Sequence, residues 1–311
     1  MTWACVFPGQ GSQSVGMSDD LLNHQEDVQR TFEEASDTLH YNMQVLVQTD
    51  PNHQLADTEY TQPALLTTCV AIWRRLIHFS AFRPTYLAGH SLGEYTALVA
   101  AEILSFADAL LLVQQRGRLM QQAVPAGIGA MAAVLGLEDN ALIMEICQKM
   151  AQGQVVAPVN FNAIGQTVIA GHKEAVLRAM AALQEAGAKR VLLLPVSVPS
   201  HCVLMKDAAR LLGQFMQELT WHTPRIPIIH NVDVASHTSP AEIQSVLQQQ
   251  LYSPVRWVDT IQYLSADGVD TLLELGPGKV LCGLNKRIVP AMMALPAFNE
   301  ETLQSVLEII T

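Results

Sequence analysis

The pentapeptide Gly89-His90-Ser91-Leu92-Gly93 constrains this chain more than any other feature. An extended apolar stretch, Pro84-Thr85-Tyr86-Leu87-Ala88, leads into it. A helix-forming run, Glu94 to Ala101, leads out. G-x-S-x-G between a strand and a helix is the setting of a nucleophile elbow. Its glycines let the backbone reverse sharply and pass close to its neighbours. The turn lifts the Ser91 hydroxyl to the strand tip, and the following helix aims N–H groups at whatever reacts there. The alternative is a glycine-rich turn with an idle serine; the flanks favour the nucleophile.

The rest of the chain supplies what such a turn needs. Short apolar strands alternate with helical runs, which points to an α/β fold with a parallel sheet. The first strand, Trp3 to Phe7, ends in Pro8-Gly9-Gln10-Gly11-Ser12-Gln13, a loop that exposes backbone. Helices are expected near 18–47, 62–79 and 105–123. The texture changes at Pro125-Ala126-Gly127. From there the order reads strand 129–136, helix 141–152, strands 155–160 and 167–171, helix 173–186 and strand 189–194. That is β-α-β-β-α-β, the signature of a ferredoxin-like unit. We therefore expect a small subdomain at 127–196 inserted into a large one formed by 1–126 and 197–311. The large part continues with helices near 204–219 and 239–251 and a strand at 271–275.

Composition narrows the partners. Half of the 311 residues are hydrophobic and 15% are charged, so a core can form without disulfides or metal. The net charge of −11 argues against nucleic acid, which needs clustered Lys and Arg. The five cysteines are dispersed and form no C-x-x-C, as expected in a reducing compartment. No basic leader and no apolar run of spanning length stand out, so no membrane role and a cytoplasmic location are expected. No dinucleotide fingerprint, H-E-x-x-H or Cys/His spacing appears. Gly276-Pro277-Gly278-Lys279 precedes Val280, not the Ser or Thr of a phosphate loop. Neither metal nor redox cofactor is expected.

A serine hydroxyl needs a base. Of 10 histidines, His201 is the best candidate, because Val198-Pro199-Ser200 displays it on a bend after a strand. No carboxylate between Ser91 and His201 has a convincing loop context, so a different group would have to orient the imidazole. Arg116 lies on an otherwise apolar helix, either on a solvated face or as a fork for a carboxylate; the sequence alone favours the solvated face.

Taken together, several motifs resemble one family. They are Phe7-Pro8-Gly9-Gln10-Gly11-Ser12-Gln13, Gly89-His90-Ser91-Leu92-Gly93-Glu94-Tyr95, Gln115-Arg116-Gly117, Pro158-Val159-Asn160-Phe161-Asn162 and Val198-Pro199-Ser200-His201. Asn231-Val232-Asp233, Gln250-Leu251-Tyr252-Ser253-Pro254-Val255 and Glu274-Leu275-Gly276-Pro277-Gly278 follow in order. The whole chain resembles the malonyl-CoA:acyl-carrier-protein transacylases of bacterial type II fatty-acid synthesis. The resemblance implies an α/β-hydrolase-like core with a ferredoxin-like small subdomain and a site between them. It implies malonyl-CoA as donor, the phosphopantetheine thiol of acyl carrier protein as acceptor, and no bound cofactor. Ser91 would carry the malonyl ester and His201 would be base and then acid. The N–H groups of Gln10 and Leu92 would form the oxyanion hole, and Arg116 would hold the malonate carboxylate. Gln250 would place His201 through its backbone carbonyl. Asn160 and Asn162 would line the gorge, with Met120 and Ser200 shaping the space around the malonyl methylene. Lys189, Arg190, Lys286 and Arg287 are candidates for contact with an acidic carrier. A monomer is expected. The rival readings are a serine esterase or thioesterase on the same elbow and a non-catalytic carrier-binding subunit.

Overall fold

β1 (Trp3–Phe7) is apolar and buried along its whole length, which fits a strand covered on both faces. It lies at the centre of a five-stranded parallel sheet with β2 (Tyr86–Gly89), β7 (Ile228–Ile229), β8 (Thr271–Leu275) and β9 (Met293–Ala297). The spatial order is β7-β2-β1-β8-β9. Alternation splits β1 between two cores. Cys5 and Phe7 join the helices on one face; Ala4 and Val6 face Trp257, Ile261 and Leu284 on the other. The register pairs Phe7 with Gly89, so β1 and β2 end at the same level. The loop after β1 and the elbow after β2 are thereby neighbours at the carboxyl edge of the sheet, where α/β folds place their sites.

The structure, a computed structural model, describes residues 1–125, 127–196 and 198–310. Ala126, Ser197 and Thr311 lie outside the described residues, and the expected division at 126/127 and 196/197 falls on the first two. A second sheet is antiparallel, in the order β4-β5-β3-β6. Its strands are β3 (Gly129–Leu135), β4 (Val156–Ala163), β5 (Gln166–His172) and β6 (Arg190–Leu193). Ala130, Ala132 and Val134 face the helices Asn140–Ala151 and Lys173–Glu185. On the opposite face Met131, Val159, Val168 and Ala170 pack on Cys202, one residue beyond His201. β4 is also bonded to the large part. Val255 N–H donates to Val159 O at 2.9 Å, and Phe161 N–H donates to Val255 O at 3.0 Å. A register shift between Pro158 and Asn160 kinks β4 at that junction.

The expected helix at 18–47 is three helices: Asp19–His24, Glu26–Leu39 and Met43–Gln48. His40, left-handed at φ 60°, ends the second one. Helical periodicity continues across such a break because it reports a buried face, not an unbroken axis. The helix expected from 62 begins at Thr58 and keeps Pro63 within its second turn.

Candidate active site

β2 ends in a turn held by its surroundings. Ser91 sits at φ +53°, a left-handed conformation that costs a residue with a Cβ about 1–3 kcal/mol. Asn231, just after β7, clamps both sides of the turn. Its Oδ1 accepts the Ser91 N–H at 2.8 Å and its Nδ2 donates to Gly89 O at 2.7 Å. Gly93 passes so close to β1 that a Cβ would meet Phe7 O at 2.0 Å. The helix Gly93–Ala100 therefore begins directly behind the serine.

His201 reaches the same point from the second half of the chain. Its Nε2 is 2.8 Å from Ser91 Oγ, and its Nδ1 is 2.7 Å from the backbone oxygen of Gln250. The carbonyl can only accept, so the Nδ1 proton donates to it and Nε2 is left to receive the serine proton. This is the orienting role that a carboxylate plays in a triad, filled here by a group without charge. The ring is 3% exposed. Burial, and after it the Arg116 charge, pulls its pKa down to about 3, so the resting imidazole is neutral.

Arg116 is 1% exposed, which overturns the solvated-face expectation. The physical reason lies in its neighbour. A Cβ on Gly117 would sit 2.6 Å from Thr58 O, so the helix Phe106–Ala123 lies hard against the start of the helix Thr58–Phe79. The guanidinium is thus enclosed. Nη2 donates to Ser91 Oγ at 3.2 Å and to Gln250 Oε1 at 2.9 Å, and the group lies over the Tyr95 ring, 5.2 Å from its centre. Nε has no hydrogen-bond partner among the described residues. Burial lowers its pKa, and among the described residues its hydrogen-bond partners are a hydroxyl and an amide, not a carboxylate.

The N–H of Leu92 and that of Gln10 donate to no acceptor among the described residues. Gly9 holds the Gln10 loop against the elbow, since a Cβ there would meet His90 O at 2.3 Å. Asn162 is bonded to His90 Nε2 at 2.7 Å, linking β4 to the elbow, and Asn160 Oδ1 is buried with no partner among the described residues. His90 reaches across to the second sheet through its bond to Asn162 and lies against Trp257. Met120 is buried and receives Gln62 Nε2 at 3.7 Å, while Ser200 Oγ lies 3.5 Å from Val198 O.

Lys189 and Arg190 are exposed at the start of the edge strand β6; Lys286 and Arg287 are exposed at the end of the helix Val280–Ile288. One residue of each pair, Lys189 and Arg287, reaches the same turn. The Lys189 stem covers Gly136, Gly136 N–H donates to Gly165 O at 2.8 Å, and Arg287 donates to Ile164 O at 3.0 Å and to Gln166 Oε1 at 2.6 Å.

Sequence reading missed Glu94, Tyr95, His230 and, as site residues, Gln62 and Asn231. Glu94 and His230 are fully buried and bonded to each other at 2.5 Å, though 136 positions apart. Their one available signal was the presence of Glu94 within an apolar helix. No group of three or more potential metal ligands occurs among the described residues, and the five cysteines are buried and unpaired. A cavity of about 810 Å³ opens elsewhere, beside Trp73, Phe106, Arg83 and Arg225.

Comparison with known proteins agrees with this geometry. The family described as acyl transferase domain matches residues 4–289. The chain is similar to the malonyl CoA-acyl carrier protein transacylase of Salmonella typhimurium, 53% identical over 298 residues and 96% of each chain. Among solved structures it is similar to an acyl carrier protein S-malonyltransferase from Vibrio cholerae. The TM-score is 0.96 at 53% identity, over 98% of this chain and 100% of the other. A malonyl-transacylase solved in complex with its type II polyketide acyl-carrier protein matches with a TM-score of 0.98 at 50% identity, over 99% of this chain and 100% of that one.

Proposed function

The chain belongs to the malonyl-CoA:acyl-carrier-protein transacylases, a family of acyl transferases, and we propose that it works by ping-pong transfer through Ser91. The reaction moves a malonyl group from coenzyme A to the phosphopantetheine thiol of acyl carrier protein, the supply step for fatty-acid elongation. The observation that carries the residue roles is the continuous chain from Ser91 Oγ to His201 to the Gln250 carbonyl, with Arg116 alongside.

Ser91 Oγ attacks the thioester carbonyl as its proton passes to His201 Nε2. The oxyanion forms between the Leu92 and Gln10 N–H groups, where one preorganised donor is worth about 3–4 kcal/mol. Collapse breaks the C–S bond, and imidazolium protonates the departing thiolate. The carrier thiol then repeats the steps in reverse and Ser91 regains its proton. Arg116 pairs with the distal carboxylate of the acyl group. Acetyl-CoA would leave that buried cation without the charge it is placed to meet, which disfavours it. Met120, Ser200, Asn160 and Asn162 bound the acyl space in this reading, and Lys189, Arg190 and Lys286 offer positive charge to an acidic carrier. Every step uses groups of this chain and the partner's phosphopantetheine, so no resident cofactor enters. We place the protein in the cytoplasm, a reading supported by its buried, unpaired thiols.

Intact-mass measurement after brief exposure to malonyl-CoA tests the reading. A malonyl increment is expected in the native enzyme, much weaker with acetyl-CoA and absent in Ser91→Ala. An increment that survives Ser91→Ala would sink it. The likeness to a polyketide-carrier complex raises a second reading for the acceptor alone, which comparison of fatty-acid and polyketide carriers as substrates decides.

A further inference from the structure

Glu94 is a carboxylate at 1% exposure, one turn behind the nucleophile, and the transfer steps above do not use it. Its Oε1 lies 2.5 Å from His230 Nδ1. Its Oε2 accepts the Asn231 N–H at 3.2 Å and Gln250 Nε2 at 2.8 Å. Gln250 is fully buried and all its amide capacity is directed. Nε2 donates to Glu94 and to Ser91 O at 2.9 Å, which turns Oε1 toward Arg116. One neutral amide therefore stands between a buried anion and a buried cation.

His230 lies against that carboxylate through one ring nitrogen. Its Nδ1 carries the proton given to Glu94, while its buried Nε2 has no partner among the described residues. The ring of His237, 5.5 Å away, carries its own carboxylate partners, Asp233 and Glu242. Burial disfavours the charged guanidinium, and Tyr95 beside it and then Glu94, the carboxylate behind Gln250, act in the opposite direction.

We infer that Glu94 is the resident counter-charge of Arg116, held one amide away so that the guanidinium is compensated yet never directly paired. A direct ion pair would have to break whenever the acyl carboxylate arrives. Held at a distance, Glu94 stabilises the free enzyme and opposes the incoming carboxylate. It thereby keeps the malonyl-enzyme from becoming too stable to discharge onto the next thiol. Glu94 is a positioning residue in this scheme and touches no substrate. The inference rests on the malonyl-transfer reading.

The test is the equilibrium between free enzyme with malonyl-CoA and malonyl-enzyme with coenzyme A, read by intact mass at fixed ratios of the two thiols. In Glu94→Gln it shifts toward malonyl-enzyme by about tenfold or more, while the acetyl equilibrium does not move. Glu94→Asp, which keeps the charge, stays near the native value. Malonyl loading also raises the thermal midpoint of Glu94→Gln more than that of the native protein. A residue that merely supports the fold would lower all midpoints in parallel and leave both equilibria unchanged, and that result overturns the inference. Should Glu94→Gln not accumulate, Glu94→Gln/Arg116→Gln decides. With both charges removed neither is left uncompensated, so the double variant folds; a double variant no better than the single one overturns the inference. Failure of the native enzyme to form a malonyl-serine would sink the functional reading instead, so the two failures are distinguishable.

Discussion

Ser91 and His201 both hold positive φ, at 53° and 64°, and each is fixed by a bond from a distant segment. Asn231 clamps the serine turn, and Leu251 O accepts the His201 N–H at 2.9 Å. Ser91 was legible because glycines, strand and helix crowd around it in sequence. The group that orients His201 was legible only through the family resemblance, which pointed to Gln250, because a backbone carbonyl leaves no mark on residue type. The depressed basicity of His201 has a consequence with a definite sign. Its working form is neutral, and a pKa near 3 keeps it neutral as the pH falls. The acid limb of kcat/KM, which reports the free enzyme, is therefore expected to stay flat between about pH 8 and pH 5. A malonyl thioester of a small neutral thiol avoids titration of the coenzyme phosphates in this measurement. An inflection near the ordinary histidine value would show that the buried, Arg116-facing imidazole is not the base. In Arg116→Ala, followed with an acetyl thioester, the limb moves upward, because the second cause of the depression has been removed.

At the scale of elements, three strands of the parallel sheet were readable as apolar runs and the second sheet announced its β-α-β-β-α-β order, whereas the two-residue β7 and the outer β9 carried no such signal. Helix breaks and close approaches were less so. Whether Arg116 faces solvent depends on how closely its helix lies against Thr58, and that depends on one hydrogen atom at Gly117 in place of a methyl group. The contact makes a prediction. In Gly117→Ala the new Cβ, 2.6 Å from Thr58 O, must push two long helices apart or distort them. The obstacle is backbone, which cannot rotate away. Overpacking of this kind costs about 1–3 kcal/mol of stability. Arg116 moves with its helix, so malonyl loading should fall further than acetyl loading. Calorimetry together with acylation rates for both thioesters checks it. A variant with native stability and native malonyl preference would mean that the helices yield without moving the guanidinium.

At the scale of the molecule, the site exists because two sheets of different kinds are joined. The parallel sheet supplies the elbow and the Gln10 loop. The antiparallel sheet packs on Cys202 and bonds through β4 to Val255, which brackets His201 and Gln250 between them. No local pattern encodes this junction, since Val159 and Val255, and likewise Met131 and Cys202, are far apart in the chain. The same junction gathers charge. The chain carries −11 overall, yet the Lys189 stem lies on Gly136, which is bonded to Gly165, and Arg287 is bonded to Ile164 and Gln166 of the same turn. Arg287 is committed to Ile164 O and Gln166, so in the proposed function Lys189, Arg190 and Lys286 are the residues that would meet an acidic carrier. Local positive potential on a negative molecule acts mainly on encounter, and salt screens it within about 8–10 Å. Lys189→Glu/Arg190→Glu is therefore expected to slow malonyl transfer to the carrier protein about tenfold at low ionic strength relative to transfer to free pantetheine. Raising the salt concentration should bring native and variant enzymes together. Because Arg190 begins an edge strand and its side chain is exposed, folding should be unaffected, and a thermal midpoint close to native would establish that. Equal slowing toward both acceptors, or a native carrier rate, would move the docking surface away from this rim.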